Sequence, residues 1–100
     1  MTVRLKEGAG LSIAISASTV EQTGIKPGHT YRMAACDGSA VVEFGAADAT
    51  AADAGYSFMI PRNTVVDVLI PSAITAINVI EANTASDAGA LLGVTELEFV

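Results

Sequence analysis

His29 is the only histidine of this chain and Cys36 its only cysteine. A Ser-His-Asp triad or a Cys-His pair therefore has to use His29, and neither an intramolecular disulfide nor a multi-cysteine metal cluster can form. His29 directly follows Pro27-Gly28, a turn position from which the side chain is expected to point into solvent. Seven residues of extended chain, about 23 Å, separate it from Cys36, which is expected as a small buried thiol filling the core. Asp37, Asp48, Asp53 and Asp87 raise the question of calcium. An EF-hand loop, however, needs oxygen ligands at alternate positions and a glutamate at the twelfth, and the alanine-rich loop does not supply that set. The aspartates read instead as solubilising an alanine-rich loop. Glu96 and Glu98 lie roughly 6 to 7 Å apart along a strand, a glycosidase-like spacing, but on one element and in a chain without tryptophan to bind a sugar. Gly8-Ala9-Gly10 comes before the first strand and lacks a following Gly-Lys-Ser/Thr, so it is a flexible entry to that strand and not a phosphate cradle. Tyr31, Phe44, Tyr56, Phe58 and Phe99 all fall on strand readings and are expected in the core. No catalytic, cofactor-binding or metal-ligating set emerges, and the expectation is a protein that is not an enzyme.

The elements that must position these residues are read from periodicity. Leu11, Ile13, Ile15 and Ala17 alternate with smaller or polar residues, the period of a half-buried strand over 11 to 17. Lys26-Pro27-Gly28-His29 has the composition of a type II turn. Thr30 to Cys36 alternates again, with Tyr31, Met33 and Ala35 on one face, and Asp37-Gly38 is a two-residue hairpin signal leading into Ser39 to Phe44. Gly45 to Gly55 reads as a loop with room for a single helical turn. Tyr56 to Ile60, ended by Pro61, and Thr64 to Ile70, ended by Pro71, are two more strands. Ile74 to Glu81 is mixed on both faces, which suits a central strand. Asn83 to Gly89 is the next loop. Leu91 to Val100 closes the chain, with Leu97 and Phe99 expected on a buried face opposite Glu96 and Glu98. About seven short strands predict a single all-β domain over 1–100, a compact antiparallel sandwich or barrel, with 1–10 as an extended N-terminal arm.

Composition narrows the partners. Of 100 residues 51% are hydrophobic, 18 of them alanine, and the formal charge is -6. The five cations Arg4, Lys6, Lys26, Arg32 and Arg62 are scattered along the sequence, which argues against nucleic acid. No apolar run approaches the ~20 residues of a bilayer span, and Met1 to Glu7 has no secretory-signal pattern. Synthesis and assembly in a host cytoplasm, without membrane, are expected.

From Val41 to Ile80 the order of features resembles that of head decoration, or cement, proteins and related minor structural proteins of tailed bacteriophages. The pieces are Val42-Glu43-Phe44-Gly45 ending a strand, the small-residue loop 46 to 54, Phe58-Met59-Ile60-Pro61, Thr64-Val65-Val66-Asp67-Val68, and Ile70-Pro71-Ser72-Ala73-Ile74-Thr75-Ala76-Ile77. The chain departs from the pattern after Ile-Pro. Arg62-Asn63 replace a small residue and glycine, so Asn63 has to adopt the left-handed conformation. The resemblance covers about two fifths of the chain. It implies a β domain that binds the major capsid protein on the outside of a virion shell and reinforces it without chemistry or cofactor. The alternatives are a head-tail connector or tail accessory protein, and a small carbohydrate- or ligand-binding module. A homo-oligomer is expected, a trimer in preference to a dimer, because a shell offers threefold positions. The expected contacts are Val3, Arg4, Leu5 and Lys6 on an arm patterned as an edge strand, and Asp48 and Asp53 on the loop.

Overall fold

The computed structural model describes residues 2–45, 57–82 and 87–99. Among them run eight strands: β1 (Val3–Ala14), β2 (Val20–Thr23), β3 (Thr30–Cys36), β4 (Ala40–Phe44), β5 (Ser57–Ile60), β6 (Val65–Leu69), β7 (Ala76–Glu81) and β8 (Leu91–Phe99). They form two antiparallel four-stranded sheets, β1-β8-β3-β6 and β2-β7-β4-β5. The two sheets pack face to face as a sandwich, not a closed barrel. The first sheet gives the core Ile13, Tyr31, Met33, Leu92 and Val94, and the second gives Ala40, Val42, Ile60, Ile77 and Val79. Ile25 and Ile70 seal it from the connections.

Several expectations hold. Tyr31, Met33 and Ala35 share the buried face of β3, and β7 is central in its sheet. The type II turn is present: the His29 amide donates to the Lys26 carbonyl at 3.2 Å, and Gly28 takes a φ of 78°. Asn63 adopts a φ of 56°, and its side chain accepts a hydrogen bond from the Asp37 amide at 3.3 Å.

Others are corrected. Asp37-Gly38 does not close a hairpin, because β3 pairs with β8 and β6 while β4 pairs with β7 and β5. The turn carries the chain from one sheet to the other, and each strand finds partners distant in sequence. Residues 3–5 of the extended N-terminal stretch lie in the chain's own sheet. They continue β1 and pair with residues 97–99 of β8. Strand β2, with its partner β7, was not expected. Cys36 is exposed, since it follows Ala35 on the outward-facing alternation of β3. Phe99 is also half-exposed and Leu97 buried outside the main core, because the faces of β8 are the reverse of those read from its last residues. Leu92 and Val94 fix the even positions inward, so Glu96 points inward and Phe99 outward. The loop 46 to 54 and Tyr56 lie outside the described residues.

A wide bulge divides β1. Leu5 pairs with Leu97 and Gly10 with Thr95, so that only Glu96 lies opposite the stretch from Lys6 to residue 9. The three extra residues reverse the side-chain parity. Leu11 and Ile13 face the core, whereas the equally odd-numbered Val3 and Leu5 join Leu97 and Phe99 on the outer face.

Candidate docking pocket around Glu96

The same alternation that buries Leu92 and Val94 carries Glu96 to the inward side of β8, directly across from Tyr31 on β3. An unpaired carboxylate there would be costly. The surrounding elements supply its partners. The β1 bulge brings Lys6, with Nζ 3.6 Å from Oε2. The turn before β3 brings Lys26, with Nζ 3.2 Å from Oε1, and His29, with Nδ1 2.8 Å from Oε2. Because a carboxylate only accepts, His29 donates from Nδ1. Tyr31 holds the turn in place, its hydroxyl oxygen accepting from the Lys26 backbone N–H at 3.0 Å. His29 is thus half-exposed but tied to Glu96, which corrects the expectation of a freely solvated turn residue.

These groups border an open pocket of about 320 Å³ lined by Lys6, Gly8, Leu11, Gly24, Lys26, Tyr31 and Glu96. Gly8 and Gly24 have no heavy atom within 4 Å of the place a Cβ would occupy, so both stretches of glycine backbone leave room at the wall. Burial pushes the Glu96 carboxyl up. The hydrogen bonds from His29 and Lys26 and the positive charges of Lys26 and Lys6 outweigh it and leave the group below the usual carboxylate range. Lys26 is correspondingly pushed up, first by its hydrogen bond to Glu96. The carboxylate therefore stays ionised at neutral pH, and the pocket presents two ammonium groups held over one buried negative charge.

Of the expected contact residues, Lys6 lies in this pocket and Arg4 beside it, where its Nε donates to Glu98. Val3 and Leu5 instead lie on the outer face of the first sheet, 45% and 53% exposed, with Phe99 at 51% and Leu69 at 65% across the same face. Leu5 pairs with the buried Leu97 on β8, and Leu69 lies on β6 at the opposite edge of the sheet. Asp48 and Asp53 lie outside the described residues. The constellation Glu96, Lys26 and His29 escaped sequence reasoning because Glu96 lies 67 residues beyond His29 and the turn that carries Lys26 and His29. The one local signal was that Glu96 continues the inward series of Leu92 and Val94.

No protein-family model, curated protein or solved structure matches this chain.

Proposed function

We propose that this chain is a non-catalytic structural protein of a tailed-phage virion that binds the major capsid protein on the outer surface of the shell and reinforces it as a homo-oligomer. The observation that carries this reading is the group of exposed apolar side chains on the outer face of the first sheet, a face that also carries the Arg32–Asp67 ion pair. Val3, Leu5, Leu69 and Phe99 are each 45% to 65% exposed, and the face ends at β1, whose outer edge is unpaired among the described residues. An exposed apolar face beside a free strand edge is a surface built for association: the side chains gain by leaving water and the edge amides by completing a ladder. A trimer fits the threefold positions of a shell. The test is co-sedimentation of the purified protein with assembled capsids and, separately, with tails. Retention on capsids is expected. Retention on tails alone would move the protein to a connector or tail position, and retention on neither would overturn the reading.

A further inference from the structure

Among the described residues each of the three arginines has a carboxylate of its own. Arg4 pairs with Glu98, Arg32 in bidentate fashion with Asp67, and Arg62 with Asp87. The two lysines differ. Lys6 and Lys26 share one carboxylate, Glu96, which also receives His29. Among the described side chains one unit of positive charge is therefore left over in an open pocket of about 320 Å³, on a molecule whose overall charge is -6.

We propose that this pocket is a socket for a single carboxylate side chain, a glutamate or aspartate presented by a protein partner, clasped between the ammonium groups of Lys6 and Lys26. The inference rests on the shell-binding reading only for the identity of the partner. A monoanion neutralises the surplus. A phosphate dianion exceeds it, and its second charge would face the buried Glu96 carboxylate at close range. Glu96 has a constructive part: it draws both ammonium groups to one spot before the partner arrives, which lowers the entropy lost in ordering two long side chains. The backbone at Gly8 and Gly24 gives the incoming side chain access that a Cβ at either position would narrow. A neutral side chain of the same shape can accept from an ammonium but leaves the surplus charge uncompensated and forgoes the stronger bond between two ionised groups.

The probe is a capped tripeptide, acetyl-Ala-Glu-Ala-amide, titrated into the full-length protein and followed by backbone amide shifts. Acetyl-Ala-Gln-Ala-amide and inorganic phosphate at matched ionic strength serve as comparisons. Saturable shifts confined to the amides of Lys6, Gly8, Gly24 and Lys26 are expected with the glutamate peptide, at least tenfold weaker with the glutamine peptide. They should be lost in Lys6→Gln/Lys26→Gln. Should the double variant not fold, the single variants Lys6→Gln and Lys26→Gln must each weaken binding severalfold. Equal response to both peptides, stronger response to phosphate, or shifts elsewhere would overturn the proposal. Binding of the peptide together with failure to sediment on capsids would remove the shell and leave the socket; the reverse would remove the socket alone.

Discussion

At the scale of single residues, two positions stand against local preference. Asn78 on β7 is fully buried, and among the described residues neither its side-chain nitrogen nor its oxygen has a hydrogen-bond partner. A buried amide without partners costs on the order of 1–3 kcal/mol. Asn78→Leu, close in volume and free of that cost, is expected to raise unfolding stability by about 1–3 kcal/mol in urea titration; a loss would mean that the amide is satisfied in solution. Ala73 has a φ of 69° in the turn closed by the Ile74 amide on the Pro71 carbonyl. The left-handed conformation costs an L-residue roughly 1–2 kcal/mol, partly offset in glycine by its greater unfolded-state entropy. Ala73→Gly should therefore stabilise by about 0.5–1 kcal/mol, read as an upward shift in Tm. Asn63, in the same conformation, was legible from the sequence because its neighbours resemble a Pro-x-Gly turn; Ala73 was not, because nothing in alanine announces positive φ.

Among the elements, β8 decides most of the architecture, since it joins β1 to β3 and holds Glu96 at the mouth of the sandwich. The ion cluster there makes stability depend on acidity in a defined direction. Glu96 titrates lower in the folded chain than its ordinary 4.5. Its contribution is complete above that value and disappears as pH falls through the lower folded value. Stability should be level with respect to Glu96 near neutrality and drop as the pH is taken below about 4.5. In Glu96→Gln part of that drop should vanish, and the remainder belongs to other carboxylates such as Asp67, held low by Arg32. Urea midpoints at several pH values check this, and an undiminished acid slope in the variant would refute it. Strand existence was largely legible because period-two alternation is imposed by the core on residues such as Tyr31, Met33 and Ala35. Pairing was not. Asp37-Gly38 has the chemistry of a hairpin turn, yet long-range partners took both flanking strands. Nor could alternation show the three residues of bulge that turn Val3 and Leu5 outward while Leu11 and Ile13 turn inward. The pocket is a product of that bulge, so it shared the bulge's invisibility.

At the scale of the whole molecule, two surfaces of different physics lie at the same end: the apolar outer face around Leu97 and the cationic pocket around Glu96. Their responses to salt are opposed. Subunits of charge -6 repel one another, and screening that repulsion favours contact through the apolar face. The same screening weakens a carboxylate held by Lys6 and Lys26. Replacing Leu5 and Leu69, 53% and 65% exposed, with glutamine should leave the fold within roughly 1 kcal/mol of the original, since exposed positions carry little of the core. It should nevertheless abolish self-association and most binding to particles at high salt. Lys6→Gln should act the other way, weakening particle binding chiefly at low salt, where electrostatic attraction is largest. Sedimentation at about 50 mM and about 500 mM salt, spanning Debye lengths of roughly 14 to 4 Å, separates the two surfaces. If the leucine variant binds as the unaltered chain does at both salts, the outer face is not the contact, and the free edge of β1 then has to act without it.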